Sequence, residues 1–84
     1  MSDRRAERNR LQWQCRRGMR ELDELLLLFL DRGYESLDAK GRRAFAVLLG
    51  YPDAVLLEWL MGRMVPTDKE VGHVVDAIRR AAAP

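Results

Sequence analysis

The sequence predicts an all-α fold, a compact single-domain bundle of five short helices over residues 1–84. Apolar residues recur at spacings of three and four, the repeat of a helix face, and no useful length alternates with the period of two that marks a strand. Glycines are scattered singly, as breaks between helices would be. A chain of 84 residues has room for one modest core. We therefore expect one helical domain.

Two helices are predicted in the first part of the chain, over residues 3–16 and 19–32. The apolar residues of the first are Ala6, Leu11, Trp13 and Cys15. This set is sparse, so its buried stripe should be weak. The second helix has apolar residues at i, i+3, i+4 and i+7, namely Leu22, Leu25, Leu26 and Phe29. Further leucines widen this surface, so we expect it to be the central, most buried helix, with Gly33 in the left-handed conformation past its end.

The third and fourth helices are delimited by a capping residue, a proline and two glycines. Asp38 can accept hydrogen bonds at the start of the third helix, and Gly50 is placed to end it. Pro52 suits the position at or just before the first turn of the fourth helix, and Gly62 suits its end. The predicted inward-facing residues are Phe45, Leu48 and Leu49, followed by Leu56, Trp59 and Leu60.

The fifth helix has the clearest apolar pattern. Thr67 and Glu70 have the spacing of a capping box, in which each side chain bonds a backbone N–H near the other. Arg79 and Arg80 fall in the last turns, where positive charge interacts favourably with the helix dipole. The predicted buried stripe is Val71, Val74, Val75, Ile78 and Ala82.

Membrane insertion and export are not expected. The apolar run LLLLFL at residues 25–30 has six residues, whereas a membrane-spanning helix needs about 20. The single cysteine cannot form an internal disulfide, and the chain begins with polar residues and arginines instead of an apolar signal region. We therefore predict a reducing compartment, the cytoplasm.

The sequence offers little for catalysis. It has one histidine, one cysteine, no paired spacing suited to a metal and no glycine-rich phosphate-binding motif. We interpret His73, at the flank of the fifth helix, as a surface or boundary histidine. Cys15 is interpreted as a small packing residue, the alternative being a reactive thiol whose pKa is lowered by Arg16 and Arg17. No catalytic residue, metal site or stably bound cofactor is predicted.

Charge is concentrated around one glycine in residues 16–22, which read RRGMREL. One interpretation is local: Gly18 makes a turn between two helices, the arginines lie in the last turn of the first and the acidic residues in the first turns of the second, each near a favourable dipole end. The other is a binding site. Gly18 would let a partner backbone approach closely, with Arg17 and Glu21 as donor and acceptor and Trp13 as an exposed anchor.

The N-terminal charge leaves a further function open. Residues 1–20 contain seven arginines and two acidic residues, which leaves residues 21–84 with a net charge of −3. Concentrated positive charge is typical of proteins that bind phosphates, so a small helical nucleic-acid-binding protein is the alternative function. Asp3, Glu7 and Glu21 interrupt the positive run and argue against it.

The same stretch resembles the signature of a known family. The run from Cys15 to Asp23, preceded by Trp13, is similar to the R-G-x-x-E motif of the SdhE family, bacterial and mitochondrial factors that promote covalent flavin attachment to succinate dehydrogenase. Later segments follow the order and spacing of that family, so the resemblance covers nearly the whole chain. These segments are Tyr34-Glu35-Ser36-Leu37, Phe45 with Leu48-Leu49, Glu58-Trp59-Leu60-Met61, and Pro66 before Asp68 and Glu70.

The resemblance implies a five-helix assembly factor that is not itself an enzyme. Such a factor would bind the flavoprotein subunit of succinate dehydrogenase, or that of fumarate reductase, before the enzyme complex is assembled. FAD would become attached to a histidine of that partner by the partner's own chemistry. Three motif residues and three neighbours would make the contact: Arg17, Gly18 and Glu21, then Trp13, Arg16 and Met19.

Overall fold

The computed structural model describes residues 2–83, with side chains from residue 4 onward, and contains five α-helices. They are α1 (Ser2–Gln14), α2 (Arg20–Arg32), α3 (Ala39–Leu48), α4 (Asp53–Leu60) and α5 (Lys69–Ala82), with a single 3-10 turn at Tyr34–Ser36. No strand occurs within residues 2–83. None of the helices in this range is both long enough and apolar enough to cross a membrane. The predicted all-α bundle of five short helices is confirmed.

The core lies where α2, α3 and α5 meet. α5 packs against both α2 and α3 and also contacts α4. The rings of Phe29 and Phe45 lie 5.4 Å apart, and the Tyr34 ring lies 5.6 Å from that of Phe45, in the tilted arrangements that aromatic pairs favour. The sequence predicts α2 as the central helix, whereas the structure shares that position between α2 and α5. The buried residues of these two helices are Leu22, Leu26, Phe29 and Leu30, then Val71, Val74, Val75 and Ile78.

α1 buries little of its surface. Among the side chains of α1 that the structure describes, only Leu11 is buried. Cys15, which follows the helix, is buried too. Arg8 holds the helix in place, since its guanidinium donates to the carbonyl oxygen of Leu30 at 3.1 Å and pairs with Glu35 at 3.2 Å. The weak apolar stripe predicted for this helix is confirmed.

The cap of α3 is as predicted, and the cap of α5 is not. Asp38 accepts a backbone N–H at 2.8 Å. At α5 the predicted capping box of Thr67 and Glu70 is wrong, because the carboxylate of Asp68 accepts the N–H groups of Glu70 and Val71 at 2.8 and 3.1 Å. A carboxylate that bonds two N–H groups also places negative charge at the positive end of the helix dipole, which makes it the stronger cap.

Gly33 does not have the left-handed conformation that the sequence predicts. Its φ is −120°, and the chain continues into the 3-10 turn. Glycine is needed at this position for space, because a β-carbon would lie 2.5 Å from Cε1 of the Phe29 ring. Gly62, in contrast, lies just past α4 with a φ of +78°, as a glycine at a helix C-terminus commonly does.

One helix boundary and the extent of one buried stripe differ from the prediction. α1 ends at Gln14, so Arg16 and Arg17 lie beyond the helix and not in its last turn. The buried stripe of α5 stops at Ile78, because Ala82, near the end of the helix, is exposed. The first difference matters for function, since it places both arginines in the connection between α1 and α2.

Candidate partner-binding surface

The connection between α1 and α2, residues 15–19, makes a sharp corner that we call the elbow. At the corner, Gly18 has a φ of +84°, in the left-handed region that costs a residue with a side chain about 1–2 kcal/mol. Apart from the adjoining residues, no described atom lies within 4 Å of the point that a β-carbon would occupy. The turn therefore requires glycine for its backbone conformation, and the corner itself stands open.

Arg17 ties the elbow to the connection between α3 and α4. Its Nε donates to the carboxylate of Asp53 at 2.7 Å, and Nη1 and Nη2 donate to the carbonyl oxygens of Leu49 and Tyr51, each at 2.7 Å. Nη1 of Arg17 also donates to the carbonyl oxygen of Gln14 at 3.2 Å. The side chain is only 16% exposed. The sequence predicts Arg17 as a donor to a partner, but most of its donors are engaged within the chain, so its visible role is to position the elbow.

Asp23 closes the elbow from the α2 side. Its carboxylate accepts the backbone N–H of Arg17 at 2.6 Å. Asp23 and Glu21 both lie in the first turn of α2, where negative charge interacts favourably with the helix dipole. The local interpretation of the charge cluster is thus confirmed for these acidic residues, and it is wrong for the arginines because they lie outside α1.

Four of the six predicted contact residues are exposed at the elbow or beside it. Trp13 is 75% exposed, which is unusual for so large a ring. Arg16, Gly18 and Glu21 are exposed too, whereas Met19 is partly buried and packs against the core. Glu21 has no ion-pair partner within the described residues. An exposed aromatic ring close to available charged groups is typical of a binding hot spot.

The N-terminal arginines are partly neutralised by nearby carboxylates. Arg8 pairs with Glu35 at 3.2 Å and Arg20 with Glu24 at 3.4 Å, and the charge of Arg17 is used within the chain. A nucleic-acid interface would need such guanidinium groups free to bind phosphates. Arg5, Arg10 and Arg16 are exposed and form no ion pair within the described residues, so the nucleic-acid alternative stays a prediction.

Cys15 is a packing residue and not a reactive thiol. It is fully buried, and burial raises the pKa of its thiol from 9.0 to about 11. Arg17 acts in the opposite direction and Asp23 in the same direction, but both effects on this pKa are smaller than that of burial. The packing interpretation is confirmed. The alternative of a thiol activated by its neighbours is wrong, because a low dielectric disfavours the thiolate more than one nearby cation favours it.

This raised pKa predicts a loss of stability in alkali. The folded protein keeps the thiol proton to a higher pH than the unfolded chain does, so the contribution of Cys15 is intact below pH about 9 and falls as the pH rises to about 11, by at most about 2–3 kcal/mol. Urea denaturation at a series of pH values measures the free energy of unfolding. Cys15→Ala should be less stable than the wild type at neutral pH, with the difference narrowing above pH 9; a constant difference contradicts the prediction.

The remaining candidate groups do not add a reactive centre to the elbow. His73 is exposed on α5, in agreement with a surface or boundary histidine. Among the residues whose side chains are described, no three His, Cys, Asp or Glu groups are placed together as a metal site. The elbow and the adjoining helix ends offer hydrogen-bonding groups, charge and one exposed aromatic ring, that of Trp13.

The sequence did not reveal which residues fix the elbow. Leu49, Tyr51 and Asp53 lie 32, 34 and 36 positions from Arg17. The two carbonyl oxygens carry no side-chain identity, so no sequence pattern could mark them. Asp53 stands in the first turn of α4, where an acidic residue is already expected from the helix dipole, so nothing singled it out as a partner of Arg17.

The fold and the elbow define a class of protein, a small helical domain with an open, charged corner at its surface. The Sdh5 family, described as the flavinator of succinate dehydrogenase, matches residues 9–82, which include the whole elbow. The chain belongs to this family. The resemblance that the R-G-x-x-E stretch indicates is therefore confirmed.

Individual relatives agree with the family. The chain is 39% identical over 72 residues to the FAD assembly factor SdhE of Pectobacterium atrosepticum, in an alignment that covers 86% of this chain and 82% of the relative. It is 41% identical over 70 residues to the FAD assembly factor SdhE of a Serratia species, covering 83% and 80%. It is 37% identical over 76 residues to the protein of that name from Haemophilus ducreyi, covering 88% and 93%.

Proposed function

We propose that this chain is an assembly factor that binds the flavoprotein subunit of succinate dehydrogenase and promotes the covalent attachment of FAD to it. The observation that carries the proposal is the open corner at Gly18 in a chain of the flavinator family. Relatives named as FAD assembly factors align over more than four fifths of the chain, at 86% and 83%, which supports transfer of the role.

In this proposal the six residues at the elbow or beside it have different roles. Trp13 is an apolar anchor, and Arg16 and Glu21 are a donor and an acceptor for the partner, because all three are exposed. Gly18 allows the partner backbone to approach closely. Arg17 positions the corner through its bonds within the chain, and Met19 packs beneath the surface.

The size of the protein suits the task. Its accessible surface is 5718 Å², so a standard interface of about 800 Å² per partner would use roughly a seventh of it. If the partner adopts its flavin-ready arrangement about 1% of the time, a factor that binds this arrangement about 2.7 kcal/mol more tightly makes it half populated. Two charge-assisted hydrogen bonds are enough for such a preference.

The proposed factor does not perform the chemistry. FAD and the residue that it modifies belong to the partner, and this chain would act by favouring one arrangement of the partner's own groups. No catalytic residue and no stably held cofactor is assigned to the chain. We also propose a cytoplasmic location, which suits a chain whose one cysteine is a buried free thiol.

Deleting the gene in its host tests the function. Covalent flavin on the denatured flavoprotein subunit, followed by in-gel fluorescence, should fall sharply and should return when the wild-type gene is supplied on a plasmid. The same gel run on the flavoprotein subunit of fumarate reductase, where the host has one, tests that second client. An unchanged signal on succinate dehydrogenase after deletion would contradict the proposal.

A further inference from the structure

A groove starts at the motif glutamate and follows the outer side of α2. It has a volume of about 330 Å³. We call it the α2–α4 groove, and its lining residues are Glu21, Glu24, Leu25, Leu28 and Met61. This volume is near the lower end of the range for small-molecule sites, about 300–1,000 Å³, so the groove suits one or two side chains of a partner better than a cofactor.

The groove has an apolar floor made by two helices. Glu21, Glu24, Leu25 and Leu28 stand at i, i+3, i+4 and i+7 and therefore share one face of α2. Both leucines are only partly buried, although the residues that follow them in the same helix turns, such as Leu26 and Phe29, are fully packed. Met61, just past the end of α4, is 44% exposed and also lines the groove.

The two glutamates of the groove carry negative charge that is only partly compensated by ion pairs. Within the described part of the chain, the carboxylate of Glu21 has no ion-pair partner, and Glu24 pairs with Arg20 alone. The pair between Arg20 and Glu24 has an Nε–Oε2 distance of 3.4 Å with side chains 90% and 66% exposed, so it is weak and easily exchanged. The complementary occupant is an apolar side chain with a lysine or arginine beside it.

We propose that the α2–α4 groove docks a segment of the flavoprotein partner in which a large apolar side chain is flanked by a basic residue. The apolar side chain lies on Leu25, Leu28 and Met61, and the basic group pairs with Glu21 and Glu24. The inference rests on the proposed function, because Glu21 belongs both to the exposed elbow surface and to the groove. The interface then extends from the corner along α2.

Matched substitutions test the groove without altering the elbow. Met61→Ser removes the apolar wall, and Val47→Ser makes a similar change at an exposed position of α3 away from the groove, where Val47 is 54% exposed. Glu24→Lys reverses a rim charge, and Asp31→Lys does the same at the exposed far end of α2. The measurement is the dissociation constant for the purified flavoprotein subunit, with circular dichroism to verify folding.

We expect Met61→Ser and Glu24→Lys each to weaken binding about tenfold or more, and Val47→Ser and Asp31→Lys to stay within about twofold of the wild type. If Met61→Ser fails to fold, Glu24→Lys alone tests the groove. This variant should fold because Glu24 is an exposed surface residue. If the wild type binds and Gly18→Glu does not, while the groove variants match their controls, the groove inference is wrong and the proposed function stands. If the wild type does not bind, both are wrong.

A cross-link identifies the occupant. With a photoreactive benzoyl-phenylalanine at position 61, illumination of the complex and mass spectrometry should place the adduct on a flavoprotein segment that has lysine or arginine within a few residues. An adduct on a second copy of this chain, or on a segment without a basic residue, overturns the inference.

Discussion

Replacing Gly18 with glutamate should reduce covalent flavin on the partner to the level of the deletion strain while the helices stay folded. The backbone cost is about 1–2 kcal/mol, because Gly18 has a φ of +84°. This cost alone does not unfold a domain of ordinary stability. The new side chain projects into the open space where a partner backbone would approach. In-gel fluorescence of the complemented strain and circular dichroism of the purified variant measure the two effects.

Gly62 provides a matched control. It also has a positive φ, +78°, and a β-carbon there would meet the tip of the flexible Arg79 guanidinium at 2.8 Å, which can move aside. Gly62→Glu therefore carries a similar backbone cost outside the elbow, but it adjoins Met61 of the α2–α4 groove, so it is a control for stability and not for flavin attachment. Urea denaturation should show similar losses for the two variants. If circular dichroism shows that neither variant is folded, backbone strain explains the loss of flavin attachment. If Gly18→Glu restores the signal in full, the elbow is not the contact.

Arg17→Ala should cost about 2–4 kcal/mol of folding stability. The change removes the ion pair to Asp53 and leaves the carbonyl oxygens of Leu49 and Tyr51 without their donor. A domain of this length has a total stability on the order of 4–12 kcal/mol, so the loss is a large fraction of it. Urea denaturation followed by circular dichroism measures the change.

The Arg63–Glu58 pair is the control for this prediction. Its Nη2–Oε2 distance is 2.9 Å, but it lies on the surface, so Arg63→Ala should lower the stability much less than Arg17→Ala does. A double-mutant cycle of Arg17→Ala with Asp53→Ala should show a coupling of at least about 1 kcal/mol. Equal effects of Arg17→Ala and Arg63→Ala would show that the bonds of Arg17 add nothing beyond a surface contact. A loss of flavin attachment in the Arg17→Ala variant can therefore be interpreted only when the free energy of unfolding of that variant is also measured.

The helices were predictable because their signals are local. The apolar spacing of α2 and α5 and the cap at Asp38 each depend on residues within one or two turns, and the structure contains them. The conformation of Gly33 was not predictable, because the Phe29 ring that excludes a β-carbon takes its position from the whole core. The cap of α5 was missed because Thr67 and Asp68 are adjacent, and the pattern does not say which oxygen reaches the free N–H groups.

The candidate site was predictable in part for the same reason. The open corner at Gly18 is predictable from the charged stretch around this glycine. The exposure of Trp13 is predictable from the weak apolar stripe of α1. The role of Arg17 depends on bonds to residues more than thirty positions away, as with Asp53 at 36, which no local motif encodes. That the exposed residues bind the flavoprotein remains a prediction, since contact with a partner is a property of two chains.

The bonds from Arg17 to the connection between α3 and α4 support the corner from a distance in sequence. A substitution at Pro52 or Asp53 would weaken this support and make the corner more mobile. Binding of the partner would then be weaker because more conformational entropy is lost on binding, although every contact residue is still present. A genetic screen for failed flavin attachment should therefore return lesions at residues 49–53 as well as in the motif. Second-site revertants of those lesions should be changes that stiffen the same connection.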